Sequence, residues 1–167
     1  MSLLDRYALE CSSHSPAQTH RLGTRFGEVL PCGVVVALTG NLGSGKTHLS
    51  RGIGDGWGAE QELRSPTFTL VQEHRRSKDR VRLYHVDLYR VEKASDLASL
   101  GLDEIIEDEQ AVVLVEWADR APNLFPPNTI YIKIHIISDT KRQILFSAPN
   151  EQMWQILLSF RKNVFGV

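Results

Sequence analysis

Eight consecutive residues, Gly40-Asn41-Leu42-Gly43-Ser44-Gly45-Lys46-Thr47, follow the pattern G-x-x-x-x-G-K-[ST] by which a backbone loop cradles phosphate. The chemistry of that pattern is anion capture. Glycines at 40, 43 and 45 bring the main chain against phosphate with no Cβ in the way. Successive N–H groups then turn inward, and the start of a following helix adds partial positive charge. In such a loop Lys46 reaches the β- and γ-phosphates, and the Thr47 hydroxyl coordinates Mg²⁺. Gly40 to Thr47, together with His48, are therefore the expected nucleotide contacts. An ordinary glycine-rich turn with a solvated lysine would leave the Lys46-Thr47 pair unexplained.

A phosphate loop needs an acidic partner for the metal at the end of a neighbouring strand. Glu116 directly follows the apolar run Ala111-Val112-Val113-Leu114-Val115 and emerges from a buried strand, which favours it as the metal-side carboxylate with Thr47. Asp87 closes the less apolar run Leu83-Tyr84-His85-Val86 and is placed to orient the attacking water or to hold a supporting contact. Lys46, Asp87 and Glu116 form the expected catalytic set. For each carboxylate the plain alternative is a solvated strand end. Ser65, Pro66 and Thr67 lie between loop and carboxylates, where hydroxyls can sense the γ-phosphate and its metal. A simple turn into a strand competes with that reading. His85 shares a strand face with Asp87, an arrangement more often structural than metal-binding. Arg90 and Arg142 are candidate phosphate contacts, with surface ion pairs as the alternative.

The elements that must position these groups alternate in the α/β manner. Val34-Val35-Val36-Ala37-Leu38 reads as a buried strand into the loop, and 46–57 as the helix after it. Before them, Ser15-Pro16-Ala17-Gln18 opens a helix with Ser15 capping, and Leu22, Phe26, Val29 and Leu30 share its apolar face. The runs 68–74 and 81–87 read as a hairpin with a basic tip at Arg75, Arg76, Lys78 and Arg80. That tip would meet a nucleic acid or an acidic partner surface, or be a solvated turn with Asp79 among the cations. A short helix near 95–100 stops at Gly101, and an acidic stretch runs from Asp103 to Glu109. Residues 129–136 and 142–147 read as paired strands across Ser138-Asp139-Thr140, and Met153, Ile156, Leu157 and Phe160 as an amphipathic terminal helix. Trp154 belongs to the core or an interface edge of that helix.

A chain of 167 residues with a formal net charge of −1 fits one compact domain over 1–167. The charge argues against holding nucleic acid by bulk electrostatics. Cys11 and Cys32 make no metal-ligand spacing and no disulfide framework, and no apolar run approaches membrane-spanning length. These features predict a cytoplasmic protein.

Four motifs together, G-N-L-G-S-G-K-T at 40–47, S-P-T-F-T at 65–69, H-V-D-L-Y-R at 85–90 and V-E-W at 115–117, resemble the bacterial TsaE family, also called YjeE. The resemblance runs from about Gln18 to the strand at Arg142. It implies an α/β phosphate-loop domain, a three-layer fold whose central sheet mixes parallel and antiparallel strands. It also implies an ATPase, dependent on ATP and Mg²⁺, of the pathway that makes N6-threonylcarbamoyladenosine in tRNA, with the transferase TsaD and its companion TsaB as partners. Lys46 and Thr47 keep their roles under it. Glu116 falls on the metal-side carboxylate, Asp87 on the acidic position tied to hydrolysis, and Ser65, Pro66 and Thr67 on the switch-like segment. Trp117 falls on the aromatic position of the V-E-W motif and, with Arg142, is a candidate nucleotide contact. Asn41, Ser44 and His48 replace the Asp, Ala and Thr common in the family loop. These variable positions contribute mainly backbone, so nucleotide binding should survive.

The expected reaction is in-line attack of water on the γ-phosphorus of ATP, with charge stabilised by Lys46, the loop amides and the metal. No guanine-reading N/T-K-x-D signal appears, and no arginine finger in cis is identifiable, so partners should stimulate turnover. Two other functions use the same loop: a small-molecule kinase, which needs an acceptor pocket and an arginine-bearing lid, and a nucleotide sensor that scaffolds a complex without hydrolysis.

Overall fold

The computed structural model describes residues 7–65 and 70–167. Its elements, in chain order, are β1 (Ala8–Ser13), α1 (Pro16–Gly27), β2 (Val35–Gly40), α2 (Lys46–Trp57), β3 (Val71–His74), β4 (Arg82–Asp87), α3 (Ala94–Ala98), α4 (Leu102–Glu107), β5 (Ala111–Glu116), β6 (Ile130–Ile136), β7 (Arg142–Ser147) and α5 (Glu151–Phe165). The strands form one seven-stranded sheet in the order β1-β7-β6-β2-β5-β4-β3. β2 runs parallel to both β5 and β6, and β4 parallel to β5. The β1–β7, β6–β7 and β3–β4 pairs are antiparallel. The expected mixed sheet is present, with helices on its two faces.

Burial explains which strands lie in the middle. Every residue of β5 is buried, as are Val34 to Leu38. Such apolar runs must be covered on both faces. One face packs Val36, Leu38, Leu83 and Leu114 against Phe26 of α1, Leu49 and Ile53 of α2 and Phe160 of α5. The other packs Val35, Ala37, Val86 and Val113 against Leu102 and Ile106 of α4. β6 alternates instead, with Ile130, Ile132 and Ile134 inward and Tyr131 and Lys133 exposed.

Local chemistry sets the helix ends. Ser15 Oγ accepts the Gln18 N–H at 3.1 Å, and Gln18 Oε1 accepts the His14 N–H at 2.8 Å. The reciprocal cap forms, one residue earlier than the usual pairing. α1 ends at Gly27, so Val29 and Leu30 lie past the helix, although Leu30 is still buried. The acidic stretch, read without a defined element, folds as α4 because Leu102 and Ile106 share a buried face at helical spacing.

The closest helix contact comes from small residues. A Cβ built on Gly52 or Gly56 of α2 would lie 2.0 Å from the His20 carbonyl oxygen or 1.9 Å from that of Thr24. On α1, one built on Gly23 or Gly27 would lie 2.3 Å from the Leu49 oxygen or 2.1 Å from the Ile53 oxygen. Both helices carry glycine at i and i+4, so their backbones touch. That contact locks α2, and with it Lys46 and Thr47, to the rest of the molecule.

Candidate functional site

The loop 40–45 joins β2 to α2 at the carboxyl edge of the parallel strands, where open α/β sheets hold ligands. β2 lies between β5 and β6, so the loop sits above the centre of the sheet. Gly45, at φ 107°, caps α2 in a left-handed conformation that a side chain would strain. The register aligns Leu38 of β2 with Glu116 of β5, and Glu116 with Asp87 of β4. Three adjacent strands therefore deliver the loop and both carboxylates to one edge.

Lys46 is 6% exposed, and its Nζ donates to the carbonyls of Gly40 at 2.6 Å and Asn41 at 2.9 Å. The ammonium also stands 4.0 Å from the centroid of the Trp117 ring. Burial lowers the Lys46 pKa, while the charges of Glu116, Asp119 and Asp87 pull it back up. The Thr47 hydroxyl lies 3.4 Å from that of Ser65.

Glu116 is almost fully buried, and its Oε2 meets Nε2 of His85. Asp87 is half-buried, and its Oδ1 accepts the Tyr89 N–H at 2.9 Å. Burial raises the Asp87 pKa; the Tyr89 bond opposes that rise and the neighbouring Glu116 charge adds to it. Trp117 takes φ 56°, a left-handed conformation found at no other non-glycine residue among those described. Its ring centroid lies 4.9 Å from that of Tyr89. Such strain persists only where surroundings impose it, and it recurs at functional sites.

These groups enclose a cleft of about 410 Å³. Of the residues expected from sequence, Leu42, Gly43, Gly45, Lys46, Thr47, His48, Ser65, Asp87, Glu116 and Trp117 line it. Gly40, Asn41 and Ser44 do not; Gly40 and Asn41 offer carbonyls to Lys46, and Ser44 is buried within the loop. Pro66 and Thr67 lie outside the described residues. Arg90 borders the cleft, as do Tyr89 and Leu70, which sequence reasoning did not single out. Arg142 is not part of the lining. Its guanidinium donates to the carbonyls of Ser44 at 3.0 Å and Gly43 at 3.2 Å.

From sequence, His85 reads as a structural residue, with a metal pair beside Asp87 as the lesser alternative. The fold makes it the partner of Glu116, and its position two residues before Asp87 was the available signal. In the basic hairpin, Arg76 bonds Asp79 and covers Trp57, and Arg82 bonds Glu73, so these two cations are engaged locally. Among the described residues no three His, Cys, Asp or Glu side chains converge as a ready-made metal cage. The cleft suits a magnesium–phosphate complex nonetheless. Mg²⁺ takes one or two protein oxygens and fills its shell with water and phosphate, and Thr47, Asp87 and Glu116 border one space. Among the described residues no helix is long and apolar enough to cross a membrane.

The architecture is also found in a crystal structure of YdiB from Bacillus subtilis. The two superpose with a TM-score of 0.77 at 28% identity, over 94% of this chain and 96% of that one. A tRNA threonylcarbamoyladenosine biosynthesis protein TsaE from Treponema pallidum is 35% identical over 136 residues, 81% of this chain and 98% of its own. The protein of that name from Bacillus subtilis is 36% identical over 134 residues, covering 80% and 82% of the two chains. The family model described as threonylcarbamoyl adenosine biosynthesis protein TsaE matches residues 13–144, which take in the loop, both carboxylates and Arg142. With the fold, the cleft and that span in agreement, the chain belongs to the TsaE family.

Proposed function

We propose that the protein is a Mg²⁺-dependent ATPase serving formation of the N6-threonylcarbamoyl group on tRNA adenosine. The observation that carries the reading is the placement of Lys46. A buried ammonium rests on its own loop carbonyls at the head of a cleft faced by Asp87 and Glu116. A buried cation to which no carboxylate among the described residues is bonded is poised to exchange carbonyl oxygens for phosphate oxygens. The biosynthetic role comes from the names of the relatives. TsaD and TsaB homologues are the proposed partners, tRNA is met through that assembly, and the proposed compartment is the cytoplasm.

In this reading the amides of the loop and the Lys46 ammonium bind the polyphosphate and stabilise charge that grows on the γ-phosphoryl oxygens. Asp87 is half-buried with a raised pKa, which suits a carboxylate that orients the attacking water and takes its proton. His85 holds Glu116 in one rotamer, so that Glu116 and the Thr47 hydroxyl present fixed oxygens to the metal. Mg²⁺, when bound, neutralises phosphate charge and screens Asp87 from Glu116. Trp117 covers the lysine and keeps water from it. Water and ATP give ADP and inorganic phosphate.

The test is phosphate release by the parent, Lys46→Ala, Asp87→Ala and Glu116→Ala, each alone and with purified TsaD and TsaB homologues and tRNA. Weak release that rises with the partners and collapses in the variants is expected. Equal release by parent and Lys46→Ala would overturn the reading. Absence of release with intact nucleotide binding would make the protein a sensor, and phosphate appearing on a metabolite would make it a kinase.

A further inference from the structure

We propose that Arg142 is a positioning residue that holds the phosphate loop in its binding shape from outside the cleft. The inference rests on the nucleotide reading above and assigns this arginine a role other than touching phosphate. Arg142 opens β7, immediately after the turn that joins it to β6. Its Nη1 donates back into that turn, to the carbonyls of Ser138 at 2.7 Å, Lys141 at 3.2 Å and Asp139 at 3.4 Å. Nε and Nη2 reach the other way, to Ser44 and Gly43, residues 98 and 99 positions distant in sequence. One planar fork thus bridges a rigid hairpin and the loop.

The geometry of the peptide bond turns this strut into a ligand-binding device. In a trans peptide unit the carbonyl and the next N–H point in opposite directions. Drawing the Ser44 carbonyl to the guanidinium aims the Gly45 N–H away from Arg142. Gly45 lines the cleft and Arg142 does not, so that N–H faces the ligand side. The Gly43 carbonyl fixes the Ser44 amide in the same way, and that N–H closes the loop turn onto the Asn41 oxygen at 3.0 Å.

Two cations therefore divide the loop. Lys46 holds the carbonyls of Gly40 and Asn41, and Arg142 those of Gly43 and Ser44. On binding, Lys46 must turn to phosphate and release its two carbonyls. Arg142 has no such duty, so its half of the loop stays ordered through the exchange. Preorganisation of this kind raises affinity by removing an ordering cost. It acts on every ligand that uses the loop amides, whatever lies at the γ position. Lysine, a point charge without the fork, cannot bond both carbonyls and the turn together.

The test compares the full-length parent with Arg142→Gln and Arg142→Lys in two measurements. Without nucleotide, the backbone amide ¹⁵N resonances of Ser44 and Gly45 are recorded; with nucleotide, magnesium-ATP and magnesium-ADP are titrated by calorimetry. Arg142→Gln should move both resonances and raise both dissociation constants by the same factor, about tenfold. Arg142→Lys should restore only part of the loss, and it carries the comparison should the glutamine variant unfold. Unmoved resonances with unchanged affinities would overturn the proposal. So would a loss confined to ATP, which would put the guanidinium on the γ-phosphate. A parent that binds neither nucleotide would defeat the ATPase reading and, with it, the affinity half of this proposal, while the two resonances would still decide whether Arg142 orders the loop.

Discussion

His85 Nε2 and Glu116 Oε2 form a hydrogen bond inside the sheet, where 1% and 2% of their side chains are exposed. The register places His85 opposite Leu114 and Asp87 opposite Glu116, so the bonded pair are diagonal neighbours on adjacent parallel strands. Removing either partner leaves a buried polar group unsatisfied. His85→Ala should destabilise the protein by about 2–4 kcal/mol. The double variant His85→Ala, Glu116→Ala should lose less than the sum of the two single losses, because neither orphan then remains. Urea unfolding of the four proteins measures the cycle, and strict additivity would show that the bond carries no coupling.

Asp87 couples stability to pH in the direction opposite to a salt-bridged carboxylate. Burial raises its folded pKa above the ordinary value of 3.8. Between these two values the folded state binds more proton than the unfolded one, so this group's contribution falls as pH rises through the window. In magnesium-free buffer at neutral pH, Asp87→Asn should therefore melt higher than the parent, with the difference vanishing as the pH falls towards 3.8. ATP turnover should fall at least about a hundredfold in the same variant. A melting temperature lowered at neutral pH would contradict the assignment.

The contact between α1 and α2 has no room for a methyl group. Gly52→Ala sets a Cβ 2.0 Å from the His20 carbonyl oxygen, backbone against backbone, with no flexible side chain to yield. A loss of about 3 kcal/mol is expected, and nucleotide affinity should weaken with it because α2 carries Lys46 and Thr47. Chemical denaturation and calorimetry on the same preparation check both halves.

The two thiols should differ sharply in reactivity. Cys11 is buried in β1 opposite Ile144 of β7, and burial, with the Glu10 charge beside it, pushes its pKa up to about 11. Cys32 is exposed. An alkylating reagent near neutral pH should modify Cys32 within minutes and Cys11 only on unfolding. Mass spectrometry of the native and urea-treated protein reads this directly. Rapid double labelling of the native chain would mean that β1 does not pair as described.

What the chain settles by itself is whatever depends on neighbours in sequence. The strand 34–38, the loop 40–47 and the helix 46–57 are legible because apolar runs, glycine spacing and the Lys46-Thr47 pair are local signals. The same holds for the hairpins at 71–87 and 130–147 and for the Ser15 cap, and the four motifs identify the family without coordinates. β1 was not legible, since Ala8–Ser13 has weak alternation and becomes a strand through the open edge of β7. Nor was the partnership of His85 with Glu116, or the grip of Arg142 on Gly43 and Ser44. Both depend on strand order: β4 beside β5, and the β6–β7 hairpin reaching the end of β2. Sheet order is set by pairing between segments far apart in sequence, Ala8 with Ser147 and Val36 with Ile130 among them, and no local pattern encodes it.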